Sequence, residues 1–426
     1  MDNQLISQQL QARARSFADS PSVTELADII SQADKQNLVV QKQVVSVLVE
    51  VIRDASMQDA EVHKDAIIHL LDTLQGRSSS FEEQISTLRF KLADLLEAEE
   101  EWSEAARTLI AIPQDSTQRL LSEKERLVIL IRIVRLLLED EDSVQAETYQ
   151  SRAALLINST DDQATVLQYK LCQARIMDYN RKFLEAASRY LELSWAGDID
   201  EEERKQMLSF AVTCAVLAPA GPNRSRVLAS IYRDERSASL PTYNILSKIF
   251  LDQILRSAEI HEFEKTLKPH QLAQVSLSTN DRLASVGNDD ESHPGDSKRT
   301  GPSTVLDRAV MEHNLLASSK VYNNISFRGL GALLDLAPGA AETMARKMIE
   351  QGRLKGHIDQ VERLIWFDRG GEEDNSQGKA GGLGEVEEAE DTGALFTKQW
   401  DLQIRHTAAN VEYLVQHLIA KGLVKT

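Results

Sequence analysis

Proline is nearly absent from the first half of this sequence: residues 1 to 210 hold only Pro21 and Pro113. A proline inside a helix removes a hydrogen bond and collides with the preceding turn, so long uninterrupted helices are the economical fold for such a stretch. Apolar periodicity agrees. Phe81, Ile85, Leu88, Leu92 and the pair Leu95/Leu96 recur at steps of three and four, which places them on one helical face. Ser80 with Glu83, and Ser122 with Glu125, have the spacing of capping boxes at helix starts. The run from Leu127 to Leu138 is apolar almost all round and predicts a helix covered on most sides.

Shorter helical segments between these share a pattern. Trp102-Ser103-Glu104-Ala105-Ala106, Ser143-Val144-Gln145-Ala146 and Phe183-Leu184-Glu185-Ala186-Ala187 align with Ala105, Ala146 and Ala186 at spacings of 41 and 40 residues. A period of this length belongs to stacked helix pairs, in which the small alanine permits close approach and an aromatic three residues earlier fills the groove. The fold class expected is therefore dominated by α-helix, with a right-handed, tetratricopeptide-like solenoid over residues 1–275. Acidic clusters at Glu99-Glu100-Glu101, Glu139-Asp140-Glu141-Asp142 and Asp200-Glu201-Glu202-Glu203 fall at the turns of this array. There they solvate loops and complement helix N-termini rather than form carboxylate sites.

Composition changes twice further on. Residues 276–303 are mostly Ser, Thr, Asn, Asp, Gly and Pro and read as a disordered insert, because they have too little apolar surface to offset ordering entropy. Residues 368–394 hold seven glycines in 27 positions, with nine acidic and two basic residues, and read as a second, acidic and glycine-rich insert. Gly378-Lys379-Ala380-Gly381 within it fails as a phosphate loop, since no Ser or Thr follows the lysine. Residues 304–367 predict helices over Val305–Val321, Phe327–Leu334 and from Pro338 to a cap at Gly352. Two β-like runs follow, Leu354–Ile358 and Arg363–Phe367, and three helices before a β-hairpin is the winged-helix plan. Ile365, in the second run, is the candidate contact at a sheet edge open to β-augmentation by a partner.

Residues 395–426 predict one amphipathic helix. Trp400, Ile404, Ala408, Val411, Leu414/Val415 and Leu418 form a stripe near heptad spacing. Burying five or six such side chains gains roughly 8 to 18 kcal/mol gross, against an association cost of about 4 to 15 kcal/mol. The stripe therefore suits a multi-helix bundle better than a single pairwise contact, and Trp400, Ile404, Val411, Leu414 and Leu418 are its candidate partner-binding residues.

Several functions are disfavoured. With 66 acidic against 48 basic residues the formal net charge is -18, the wrong field for nucleic acid or an anionic membrane. The third helix of the winged-helix module is neutral, and residues 304–367 carry eight basic and seven acidic groups, without the basic face of a groove reader. The nine histidines include no His-x-His or His-Glu-x-x-His spacing, and the two cysteines, Cys172 and Cys214, belong to no Cys-x-x-Cys pair. No metal, cofactor or catalytic residue is expected, and the chain reads as a non-enzyme. His313 and His357 are the histidines of interest, as hydrogen-bonding or surface groups. No export pattern begins the sequence, and two unpaired cysteines suit a reducing compartment, cytoplasm and nucleus.

A helical-repeat array, a winged helix and a terminal amphipathic helix resemble the PCI-domain family, which builds the scaffolds of the proteasome lid, the COP-nine signalosome and translation initiation factor three. The strings that carry the resemblance include Gly221-Pro222-Asn223-Arg224-Ser225-Arg226, Asp234-Glu235-Arg236, Lys268-Pro269-His270-Gln271, Gly352-Arg353-Leu354 and, above all, Leu306-Asp307-Arg308-Ala309-Val310-Met311-Glu312-His313-Asn314-Leu315-Leu316. They are most similar to one non-catalytic signalosome subunit. That resemblance implies a hetero-oligomer with other signalosome subunits, including the catalytic metalloprotease pair, and a role in sensing a bound cullin-RING ligase whose cullin loses a Nedd8-type modifier. The alternatives are a scaffold of the lid or of the initiation factor, a winged-helix DNA-binding regulator, and a cryptic enzyme. The first eighty residues resemble the family only in helical character, and both inserts look longer than its pattern needs.

The stripe yields a direct test. Val411→Asp should leave the helical content and melting temperature of the isolated chain unchanged while abolishing incorporation into a complex, because burying an unpaired carboxylate costs several kcal/mol. Glu412→Ala, on the polar face, should do neither. Circular dichroism and co-purification check this, and normal incorporation of Val411→Asp would make the helix dispensable for assembly.

Overall fold

The computed structural model describes residues 9–14, 23–54, 60–77, 80–113, 121–275 and 299–368, with positions 404, 407, 408, 411, 415 and 421 beyond them. Two compact units divide the chain, Met1–Arg369 and Gly370–Thr426. In the first, α1 (Val23–Asp34), α2 (Leu38–Asp54) and α3 (Ala60–Gln75) lead into the helix pairs α4/α5 (Glu82–Ala98, Trp102–Ile110), α6/α7 (Glu123–Glu139, Ser143–Leu156) and α8/α9 (Gln163–Tyr179, Phe183–Ser194). The array continues through α10 (Glu201–Leu217), α11 (Pro222–Tyr232), α12 (Tyr243–Phe250) and α13 (Ser257–Glu264). Among the described residues, no helix is long and apolar enough to cross a membrane.

The repeat is visible in the backbone. Glu100, Glu141 and Arg181 each adopt φ near +60°, at the same spacings of 41 and 40 residues as the alanines. Each is the left-handed residue of a helix-ending turn, closed by Glu101 N–H to Leu96 O at 2.9 Å, Asp142 N–H to Leu137 O at 2.9 Å and Lys182 N–H to Met177 O at 2.8 Å. Ala105, Ala146 and Ala186 have no exposed surface, Phe183 is buried, and Trp102 packs against the first apolar core. Helix α6 buries nine apolar residues between Leu127 and Leu138, while Val128 faces outward.

The two expected caps differ. Ser122 and Glu125 form a reciprocal box, with Ser122 N–H to Glu125 Oε2 at 2.9 Å and Glu125 N–H to Ser122 Oγ at 3.3 Å. Ser80 and Glu83 form none. Helix α4 starts one residue later, with Phe81 at the cap position and no side-chain bond, because Phe81 itself is fully buried and its packing sets the entry of the chain.

Helix α14 (Val305–Val321) is followed by β1 (Asn324–Ser326), α15 (Phe327–Leu334), α16 (Pro338–Glu350), β2 (Gly356–Asp359) and β3 (Leu364–Phe367). The three helices match the spans expected from sequence, and Gly352 has φ +66° at the end of the third. Strand β1 was not anticipated, since three residues between two helices carry no readable alternation. The sheet order is β1-β3-β2, all antiparallel, with Ile365 paired to Ile325 on one side and Ile358 on the other. Helix α14 belongs to two cores. Val305, Leu306 and Val310 pack with α10 to α13, whereas Met311 and Leu315 pack with Phe327, Leu330, Met348 and Ile365.

The stretch expected to be an insert over 276–303 leaves and returns at one place. Val275 N–H donates to Ser303 O at 3.0 Å, and Val305 N–H to Ala273 O at 3.2 Å. Residues 299–303 are ordered against α14, with Ser303 N–H on Asp307 Oδ2 at 2.8 Å and Arg299 paired to the same carboxylate. Residues 276–298 and 369–394 lie outside the described residues.

The close approach at the alanines sets a stability prediction. Ala146→Leu should lower the free energy of unfolding by about 1–3 kcal/mol through overpacking, whereas Glu141→Gly should raise it by up to about 1 kcal/mol by relieving the left-handed conformation of a side-chain-bearing residue. Urea denaturation followed by circular dichroism reads both changes.

Candidate functional site at the junction of repeats and winged helix

Three consecutive polar residues are buried in the middle of α14, namely Glu312, His313 and Asn314. Successive helical residues point about 100° apart, so each must find its partner in a different direction. Glu312 turns to the loop between α10 and α11, where its Oε2 accepts the Ala220 N–H at 3.2 Å. The same carboxylate is held in fork geometry by Arg353, through Nη1 on Oε2 and Nη2 on Oε1 at 3.2 Å. Arg353 also donates from Nη1 to Ala220 O at 3.2 Å, and its aliphatic stem lies against Gly221, where a Cβ would come within 3.6 Å of it. His313 Nε2–H donates to Gln253 O at 2.9 Å. Asn314 grips both polar groups of Leu255, accepting its N–H at 2.9 Å and donating to its O at 3.3 Å.

Burial and the neighbouring Arg224 guanidinium pull His313 down to about 4, so the ring is neutral near pH 7 and its Nε2 carries the proton. Arg224 is fully buried, and burial draws it down to about 10 against the opposing pull of Glu312 and Asp252. It remains a cation at neutral pH.

Two more polar clusters fasten neighbouring segments. Gln271 donates to both Asp178 oxygens at 3.1 and 2.9 Å, His270 Nε2–H reaches Asp178 Oδ2 at 3.2 Å, and the His270 ring stacks on Tyr179 at 4.1 Å between centroids. This seats residues 268–271 on α8. Arg236 pairs with Asp234, donates to Ser194 O at 2.7 Å and lies 4.2 Å over the exposed Trp195 ring.

The residues singled out from sequence fall differently. Ile365 has no exposed surface and sits in the middle strand, so the edge role assigned to it is corrected: the edges are β1 and β2. An antiparallel hairpin read from two runs could not reveal that a third strand covers β3. Antiparallel pairs alternate in bonding, and Asp368 N–H on Lys355 O together with Phe367 N–H on Asn323 O fixes the phase. Gly356 and Ile358 therefore turn their backbone N–H and C=O away from β3, toward the edge that no described strand pairs. Gly356 is required there, since a Cβ would lie 2.3 Å from Trp366 O. Ile404 and Val411 are helical and exposed, while Trp400, Leu414 and Leu418 lie outside the described residues. His357 is exposed, with its ring parallel to Trp366. Burial raises the thiol of Cys172 to about 11 and that of Cys214 well above its ordinary value. Among the described residues, no group of three His, Cys, Asp or Glu side chains could hold a metal ion.

Arg224, Glu312, Asn314 and Arg353 lie within the strings that carry the family resemblance, with no role legible for any of them in the sequence. The readable signal was three polar residues in a row inside a helix with apolar residues on every side.

A repeat array that shares one helix with a three-stranded winged helix defines a PCI-domain scaffold. Residues 284–369 match the family described as PCI domain, and residues 2–202 match that described as PSMD12/CSN4, N-terminal. The latter takes in the first eighty residues, which were expected to show only helical character. COP9 signalosome complex subunit 4 of Dictyostelium discoideum is 48% identical over 301 residues, 71% of this chain and 70% of that protein. Those of Drosophila melanogaster and Arabidopsis thaliana are 44% and 42% identical, covering 68% and 82% of this chain and 66% and 78% of the relatives. The chain belongs to the COP9 signalosome subunit 4 family.

The buried imidazole sets a pH dependence. Its folded pKa lies below the usual value near 6.5, so the unfolded chain binds the extra proton as pH falls, and stability drops between about 6.5 and 4. Relative to His313→Gln, the wild type should lose about 2 kcal/mol more on going from pH 7 to pH 5. Parallel pH slopes of the two proteins in denaturant titrations would contradict this account of His313.

Proposed function

We propose that the chain is a non-catalytic PCI scaffold subunit of a COP9-signalosome-type complex. In this reading it binds other subunits, including the catalytic metalloprotease and its partner, and helps sense a bound cullin-RING ligase whose cullin loses a Nedd8-type modifier. Cytoplasm and nucleus are its proposed locations, in keeping with two buried, unpaired thiols.

One observation carries the reading. The strings that resemble the family meet in space: Gly221 and Arg224, Glu312 to Asn314, and Arg353 come together at the junction of repeats and winged helix. Elements that far apart in sequence are held in one geometry by a buried ion pair and hydrogen bonds, as a subunit that must present several surfaces to different partners requires. The free edge at β2 offers backbone groups for strand addition, and the apolar stripe around Val411 suits a shared helical bundle. Identities of 42 to 48% to subunit 4 proteins favour the signalosome over the lid or the initiation factor.

Affinity purification of the tagged chain at moderate salt, with identification of co-purifying chains, tests the assignment. Recovery of proteasome-lid or initiation-factor subunits in place of signalosome subunits would overturn it. The edge has its own test. Proline is tolerated in an edge strand where its missing N–H faces outward, so Ile358→Pro should keep the sheet and weaken co-purification of a neighbouring subunit at least about tenfold, the equivalent of about 1.4 kcal/mol. Unchanged co-purification would exclude β2 as the docking edge.

A further inference from the structure

The junction holds one cation more than its hydrogen bonds account for. Arg224, in the first turn of α11, is buried, yet none of its three guanidinium nitrogens has a hydrogen-bond acceptor among the described residues. A guanidinium carries five N–H donors and stays charged, and a buried polar group left without partners calls for a physical reason. One candidate acceptor is already taken. Glu312, which acts on Arg224 through space, spends both oxygens on Arg353 and one also on the Ala220 N–H. Asp252, the other carboxylate acting on Arg224, sits at φ +51° in the turn after α12. Two arginines thus act on Glu312, and only Arg353 is bonded to it.

The two arginines differ in what can move them. Arg224 is buried in the interior. Arg353 retains partial exposure, 18% of its side chain, and lies three residues before the edge strand β2, directly after the left-handed Gly352. We propose that Glu312 is a shared anion with two alternative partners. When Arg353 is drawn away, Arg224 takes over its carboxylate, so the winged helix can shift relative to the repeats without leaving Glu312 as an unpaired buried charge. The reserve cation lowers the barrier to re-angling the junction, because removing one partner of a buried pair is otherwise strongly destabilising. That a strand added at β2 is what draws Arg353 away rests on the edge reading above. The exchange itself rests only on the junction.

The test uses the full chain and no partner, so it stands or falls apart from the assembly reading. Arg353→Ala, Arg224→Met, which keeps the apolar volume, and the double variant are compared by thermal melting and by hydrogen exchange at the Ala220 amide. Arg353→Ala should melt only slightly lower and keep the Ala220 amide protected, because Glu312 remains fixed by Arg224. Arg224→Met should melt at or above the wild-type temperature. The double variant should lose at least roughly twice the summed single shifts and lose protection at Ala220. Additive melting shifts, or loss of Ala220 protection in Arg353→Ala alone, would overturn the exchange. A large melting loss in Arg224→Met alone would do the same, since Arg224 would then be an ordinary structural cation.

Discussion

The carboxylate of Glu312 is the point on which the rest of the molecule depends. It is buried in a helix that belongs to two hydrophobic cores, and a buried charge is tolerated only when it is paired and hydrogen-bonded. The pairing it finds, with Arg353 from the winged helix and the Ala220 N–H from the repeats, ties the two parts together at a defined angle. Apolar contacts alone would permit several neighbouring packings. Directional bonds in a low-dielectric setting select one. His313 and Asn314 extend the same constraint to the loop after α12, so one helical turn sets the position of three separate backbone segments.

Upstream, order comes from repetition. Alanine where paired helices cross, and a left-handed residue where each pair turns, recur with one period. The physical content is steric: Ala146 has no exposed surface, and the turn after α6 reverses direction through a single residue with φ above zero. The polar clusters at Asp178 with Gln271 and at Asp234 with Arg236 then close the array at its far end, where the regular pairs give way to shorter helices.

The thiols are buried and held protonated, and the histidine most deeply placed is neutral and committed to a carbonyl. The outer edge of β2, where Gly356 and Ile358 direct their backbone groups away from β3, and the exposed Ile404 and Val411 are the surfaces on which the assembly reading rests. This matches membership in a family of complex subunits.

The local elements were legible in the residues themselves. Near-absence of proline, the 40- and 41-residue spacings and the helix boundaries from Val305 to Gly352 could be read because periodicity and backbone preference act over a few residues. The capping box at Ser122 was legible for the same reason, and the one at Ser80 failed because burial of Phe81 outweighed a local hydrogen bond. What those elements do together is set by contacts between distant segments. That α14 is shared between two cores, that β3 is central and Ile365 therefore cannot be an edge, and that Arg224, Glu312 and Arg353 meet across 130 positions of chain all depend on long-range packing. Charge pairing and strand order are properties of neighbours in space, and nothing in a run of adjacent residues records which distant segment will become the neighbour.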